Sequence, residues 1–260
     1  MIYKKMQCRW RVLRILFLAG CLVTNLSFAQ DVQKILEAGD RAYFGRGEPQ
    51  SYETAFERYQ LAAQKGAIEA LHYIGFMTAK GYGVNPDLNL AVEWFHKAAN
   101  KGYAPAQYML GKYYQDGNGV KQSFKSAFEW YERAAKQGYA LAQRQLSLMF
   151  ARGEGVQRNL GWATYYSALA SAEGDRLSDQ ILEQLLPRLP ELTTNAEFTT
   201  LYAEPSLSSK SSAQVFEGSP LFQLDKFRGD WVVVYSPEAK SVAYLYINDL
   251  IPTQATAAGR

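Results

Sequence analysis

Apolar residues between positions 32 and 175 follow two periods at once. Over short range they recur every three or four residues: in 104–114 the apolar set Ala106, Leu110, Tyr113 and Tyr114 lies on one face of a helix. Over long range the whole pattern returns after 36 residues. That step relates Gly66, Gly102, Gly138 and Gly174, which close the phrases LAAQKG, KAANKG, RAAKQG and LASAEG. It also relates Gly39, Gly75 and Gly111; Gly45, Gly81, Gly117 and Gly153; Gly47, Gly83, Gly119 and Gly155; and Ala55, Ala91, Ala127 and Ala163. The units are 32–67, 68–103, 104–139 and 140–175. A period of this length, kept without insertion, predicts an α-solenoid of stacked antiparallel helix pairs.

Each unit punctuates itself in the same way. A Gly-x-Gly-Val turn ends the first helix in three copies, and the first copy has Gly45-Arg46-Gly47-Glu48-Pro49 instead. The second helices start at Ser51, Asp87, Ser123 and Asn159, four residues whose side-chain oxygens accept first-turn amides. Glycine inside the first helix at 39, 75 and 111 costs about 1 kcal/mol relative to alanine. That cost predicts close helix approach there, with the Ala pairs 62–63, 98–99 and 134–135 as the matching small surface. The aromatics Trp94, Phe95, Trp130, Tyr131, Tyr165 and Tyr166 are then expected to fill the gaps between repeats. A closing helix over 177–187 carries apolar Leu177, Ile181, Leu182, Leu185 and Leu186, and Pro187 and Pro190 stop it.

Beyond residue 190 the pattern turns alternating and rich in turns. Trp231–Tyr235 and Val242–Tyr246 read as strands around a Pro237-Glu238-Ala239-Lys240 turn. Short strands over 196–252 suit a small barrel, and 253–260 reads as a disordered tail.

The motif A-x-A-x-x-x-L-G-x-x-Y, G-x-G-V, A-x-x-W, A-A-x-x-G, met most fully in 104–139, resembles the Sel-one-like repeat family, relatives of the tetratricopeptide repeats. The outer copies depart from it, with Arg58 at the tryptophan position and Ser147 at the helix glycine. The stretch Leu201 to Lys210, with Glu217-Gly218, Asp230-Trp231-Val232 and Ala243-Tyr244-Leu245, resembles bacterial SH3-like domains. That family's Gly-Trp-Val is replaced here by Ala243-Tyr244-Leu245. The two resemblances imply a binding scaffold carrying a domain that in other envelope proteins contacts cell-wall peptides. They make Tyr202, Trp231 and Tyr244 the candidate surface of the barrel.

The first 29 residues read as an export signal. Lys4, Lys5, Arg9, Arg11 and Arg14 precede the apolar run 15–23, and Ser27-Phe28-Ala29 suits cleavage before Gln30. The alternative is a lipoprotein box ending at Cys21, which would be lipidated and would anchor the protein to a membrane. Exported, periplasmic or secreted placement is the first expectation; a lipid-anchored envelope protein is the second. The whole chain carries 28 basic and 25 acidic residues; without the five basic ones of the signal it has 23 against 25. The basic balance therefore belongs to the signal, and nothing points to nucleic acid. Both cysteines, Cys8 and Cys21, fall in the same segment, so a mature chain has no disulfide or thiolate metal site.

The sequence offers no chemistry of catalysis. The two histidines, His72 and His96, have no further ligands at metal spacing. No serine sits in a G-x-S-x-G elbow, and the Gly-x-Gly pairs lie between helices rather than after a strand. No cofactor, catalytic residue or metal ligand is expected. The expected partner surface is the first helices, in three columns: His72, Tyr73, Phe76; Tyr108, Met109, Lys112; Arg144, Gln145, Leu148. His72 reads as a variable surface position. The expected function is a non-catalytic envelope adaptor, its solenoid binding a protein and its barrel a second protein or wall component. The alternative is an accessory subunit of a cell-wall enzyme, binding peptidoglycan through the SH3-like domain.

Overall fold

The computed structural model describes residues 29–194, 198–203, 211–216, 220–226, 231–246 and 250–251. Residues 1–28 of the expected signal, with Cys21, the stretch expected as a tail and most turns of the last region lie outside the described residues. Helices come in pairs: α1 (29–44) with α2 (Tyr52–Gln64), α3 (Ile68–Lys80) with α4 (Leu88–Ala99), α5 (Ala104–Asp116) with α6 (Phe124–Ala135), and α7 (Ala140–Arg152) with α8 (Leu160–Ala172). The closing helix α9 spans Arg176–Leu185 and runs into a 3-10 turn at Leu186–Arg188. The chain divides into two compact units, at Tyr103 and Ala104.

One set of bonds builds every pair. The second helices are capped as the sequence predicts: Ser51, Asp87, Ser123 and Asn159 accept from the amides of Thr54, Leu90, Ser126 and Trp162. Each cap residue also donates its own backbone N–H across the turn. Ser51 bonds Ala42 O, Asp87 bonds Thr78 O, Ser123 bonds Tyr114 O and Asn159 bonds Phe150 O, at 2.8 to 3.0 Å. The cap thus fixes both the start of the second helix and its attachment to the first.

The helix glycines face rings, and the expected Ala-pair partner is corrected. A Cβ on Gly39 would stand 2.7 Å from the Tyr59 ring, on Gly75 3.0 Å from the Phe95 ring, and on Gly111 2.5 Å from the Tyr131 ring. Phe95 and Tyr131 therefore fill space inside a pair rather than between repeats, because glycine exposes the backbone on which each ring lies. The same two positions change together in the last pair, where Ser147 replaces the glycine and Ser167 replaces the ring. Both serines are fully buried. Ser167 Oγ donates to Ser178 O of α9 at 3.1 Å, so the closing helix occupies the room that the missing ring leaves.

The second glycine of the turn serves the neighbouring pair. In the first unit, a Cβ on Gly83 would lie 2.5 Å from the backbone of Tyr52, at the start of α2. In the second unit, a Cβ on Gly155 would lie 2.3 Å from Phe124 O, at the start of α6. Both glycines also have positive φ, 70° and 71°, which side chains rarely adopt.

The last region is a seven-stranded antiparallel sheet in the order β3-β2-β6-β5-β4-β1-β7. Its strands are β1 (Glu191–Thr194), β2 (Phe198–Tyr202), β3 (Ser211–Phe216), β4 (Leu221–Lys226), β5 (Trp231–Ser236), β6 (Ser241–Tyr246) and β7 (Leu250–Ile251). The apolar run of β5 is explained by burial on both faces. Val232 and Val234 join Leu201, Leu221, Ala243 and Leu245 in the core of the sheet. Val233 and Tyr235 point the other way, against Ala168 of α8 and Leu182 of α9. The sheet is therefore built onto the last helices. Gly161 of α8 makes this possible, since a Cβ there would overlap the carbonyl of Leu224 at 1.6 Å. The equivalent positions in the earlier pairs are Glu53, Asn89 and Lys125.

Three variants test this packing. Gly111→Ala gains about 1 kcal/mol of helix propensity but overpacks the Tyr131 ring at a cost of about 1–3 kcal/mol, so the net expectation is a lower melting temperature. Adding Tyr131→Ser to Gly111→Ser should lower the melting temperature further in calorimetry, because the room that α9 occupies beside Ser167 would stay empty here. Gly161→Lys, the residue of the preceding copy, should free β4 and β5 from α8, read as faster amide exchange in those strands while α5 and α6 keep their protection.

Candidate functional site: aromatic surfaces of the two units

The first position of each expected column is a strap between a helix and the loop that follows its partner helix. Residues 103, 139 and 175 follow a loop glycine, and their amides bond Ala98 O, Ala134 O and Ala170 O at 3.0 to 3.2 Å. So anchored, their side chains meet the first helix 31 residues earlier. His72 packs on Tyr103 with ring centroids 5.5 Å apart, Tyr108 packs on Tyr139 at 5.5 Å, and Arg144 donates to Asp175. The pairing is aromatic twice and ionic in the last copy, where both partners change together.

Two expectations are corrected as a result. His72 is no open surface position: its ring is enclosed by Tyr73, Phe95 and Tyr103, and its Nδ1 is buried without a hydrogen-bond partner. Burial lowers its pKa from 6.5 to about 4, so the ring stays neutral. Arg144 likewise belongs to a structural ion pair, its side chain 16% exposed and that of Asp175 11%. Asp175 also accepts from Ser178 Oγ at 2.6 Å, which joins the pair to the first turn of α9.

The remaining column residues divide between packing and surface. Tyr73 stacks on Tyr59 at 4.8 Å. The Tyr59 hydroxyl donates to Asp40 at 2.6 Å, and burial and that carboxylate raise its pKa far above the ordinary value. Met109, Gln145 and Leu148 are half-buried, and Lys112 is exposed. Phe76 joins a larger group: its ring meets Tyr82 at 6.2 Å, and Tyr82 stacks on Tyr52 at 4.4 Å and 8°. Tyr43 packs on Tyr52 at 5.4 Å and on Phe44 at 4.8 Å. Phe44 is 54% exposed, with the Arg46 guanidinium 4.6 Å from its ring. Sequence reasoning found only Phe76 of this shelf. The signal it missed was an aromatic or basic residue between the turn glycines, Arg46 and Tyr82, where later copies carry Asn118 and Glu154.

The second unit has its own aromatic group. Tyr166 stacks on Phe150 at 5.8 Å and 10°, Phe128 meets Phe150 edge-on at 5.3 Å, and Trp162 meets Tyr165 at 5.2 Å. Trp162 is 38% exposed and lines a cleft with Gly161, Tyr165, Leu224, Asp225, Val233 and Tyr244. Tyr244 thus faces α8. The side chains of Tyr202 and Trp231 lie outside the described residues. Among the described residues, no group of three or more His, Cys, Asp or Glu is placed to hold a metal, and no helix is long and apolar enough to cross a membrane.

A family model described as Sel1 repeat matches residues 37–66, 68–103, 104–139 and 140–175, just over half of the chain. A solved protective antigen of uropathogenic Escherichia coli, displaying an SLR fold, is 34% identical with a TM-score of 0.57, over 60% of this chain and 33% of that one. A Sel1 repeat protein from Oxalobacter formigenes is 29% identical with a TM-score of 0.57, over 60% of this chain and 63% of that one. The match thus spans a third of the first protein and less than two thirds of the second.

The buried histidine makes stability depend on pH. The unfolded chain takes up a proton near 6.5, whereas the folded ring resists it down to about 4. Stability is therefore level above that window and falls as pH drops through it, by on the order of 3 kcal/mol. His72→Tyr, the residue of the next copy, should remove this slope in melting temperatures measured from pH 7 to pH 4. Arg144→Ala leaves Asp175 buried and unpaired, and should lower the melting temperature more than Lys112→Ala does.

Proposed function

The chain belongs to the Sel1-repeat family, whose members are generally protein-interaction scaffolds, and from that premise we propose a non-catalytic adaptor exported to the cell envelope. The observation that carries the reading is the aromatic shelf of the first unit, Tyr43, Phe44, Tyr52, Phe76 and Tyr82, with Arg46 over Phe44. Aromatic and arginine side chains held in place by one another are the types that dominate binding energy at protein interfaces. Their rotamers are already restricted, which reduces the ordering cost of association. Lys112, Met109, Gln145 and Leu148 extend the same reading to the second unit; Arg144 is left out of it because its charge is spent on Asp175.

The sheet is read as an SH3-like domain with a ligand of its own. The antiparallel β4-β5-β6 meander and the resemblance of 196–252 support that reading. Its ligand is a second protein or a wall component, and joining two weak sites raises avidity through effective concentration. The cleft of Trp162, Tyr165 and Tyr244 favours the alternative role, an accessory subunit of a cell-wall enzyme, because aromatic walls stack on sugar rings as well as on peptides. Export rests on the basic and apolar pattern of 1–29.

Capture from an envelope extract tests the scaffold reading. The full chain should recover defined proteins, and Phe44→Ala with Arg46→Ser, both exposed, should lose at least one of them without a change in melting temperature; identical recovery removes the shelf from the proposal. Sedimentation with purified cell wall separates the two roles, since the adaptor stays in solution and the wall-bound accessory subunit pellets. Fractionation of Cys21→Ser against wild type decides between export and lipid anchoring: only an anchored protein leaves the membrane pellet on substitution.

A further inference from the structure

Helices α2, α3 and α4 of the first unit line a cavity of about 280 Å³ that none of the surfaces above includes. Its lining is Gln60, Ala63 and Gln64 of α2, Leu71 and Ile74 of α3, and Trp94 of α4. Ile74 is fully buried and forms the floor, while Gln60 and Gln64 are exposed at the rim. Trp94 packs against the core of the unit and is held from another side by Lys97, whose Nζ lies 3.8 Å from the ring centroid. The wall is thus fixed before any ligand arrives.

The internal repeat carries different side chains at the equivalent place. Two copies later, the residues equivalent to Gln60 and Gln64 are Glu132 and Lys136, which close on each other at 3.0 Å. The equivalent of Leu71 is Gln143, whose Nε2 reaches Ala135 O at 3.4 Å, over the position of Ala63. The equivalent of Trp94 is Tyr166, stacked on Phe150, and Thr78 stands at that position in α3. One backbone plan therefore gives a charged pair over the equivalent place in α6–α8 and a neutral glutamine pair at the rim of an open cavity in α2–α4.

We infer that this cavity is a binding site for an extended, uncharged stretch of a partner polypeptide, one apolar side chain entering between Trp94, Leu71 and Ile74. The rim selects for that ligand. Gln60 and Gln64 are one helical turn apart, about 6 Å along the axis. Alternate residues of an extended chain are about 6.6 Å apart and face the same way. Each side-chain amide offers one acceptor and a donor pair, the complement of a backbone N–H and C=O. The cavity is just below the size of common ligand pockets, about 300 Å³ and upward, which suits a single anchoring side chain. The inference rests on the reading of the repeats as a protein-binding surface, but uses residues other than those of the expected columns.

A phage-displayed library of random dodecapeptides, panned on the full chain, tests it. Selected peptides should share one apolar anchor without a charge requirement. Synthetic versions N-methylated on the backbone beside the anchor should bind at least tenfold more weakly. Trp94→Ala and Gln60→Glu/Gln64→Lys, the charged pair of the later copy, should each weaken binding at least tenfold. The melting temperature of the Gln60→Glu/Gln64→Lys variant should be unchanged, which separates loss of the site from loss of the fold. Selected peptides that bind this variant as tightly as wild type overturn the site while leaving the scaffold reading intact. Chitotetraose displacing the peptides, or binding where no peptide does, makes it a glycan site instead. Failure to select any peptide overturns the site, while the scaffold reading stands or falls on the capture experiment.

Discussion

A ring lying on bare helix backbone is the contact on which the first three pairs depend. Tyr59, Phe95 and Tyr131 sit where Gly39, Gly75 and Gly111 remove the side chain that would hold the two helices apart. Glycine inside a helix is unfavourable on its own, so its recurrence makes sense only through the packing it permits. The turn glycines repeat the principle one level up: Gly83 and Gly155 let a loop touch the start of the preceding pair's second helix. Small residues at equal intervals thus set both the angle within a pair and the joint between neighbours.

Surfaces follow from this interlock. With the backbone fixed by caps and glycines, the residues left over can vary without loss of fold, and the copies have diverged at those places. The same strap position holds a histidine, a tyrosine and an arginine, each matched by its partner 31 residues on. The last pair has diverged furthest, since it exchanges the ring for serine to admit α9 and a polar residue for glycine to admit the sheet. A repeat array ends where its last unit must bury a face against something other than another copy.

Much of this was legible before any coordinates. The four caps, the pair boundaries, the closing helix and the two central strands follow from local rules about amides, glycine φ and periodicity. The columns were less legible. Periodicity identifies which residues are equivalent, but not whether an equivalent position faces solvent or the next loop. His72 and Arg144 were placed on the surface because their columns vary in type. Their partners vary with them, and reading Tyr103, Tyr139 and Asp175 beside them would have shown the strap. Gly161 also stood out, as the copy in which Glu53, Asn89 and Lys125 give way to glycine, in a helix with few polar residues left for solvent.

By itself, then, the sequence determined the repeating unit, its turns and caps, and the change from helix to sheet, because those depend on residues near one another in the chain. Only the tertiary structure decided which aromatics pack and which are presented, that the sheet is built onto α8, and that a cavity lies between α2, α3 and α4. Those outcomes depend on side-chain volumes brought together from different helices. A cavity, unlike a cap, is a property of the space between elements that no single segment encodes.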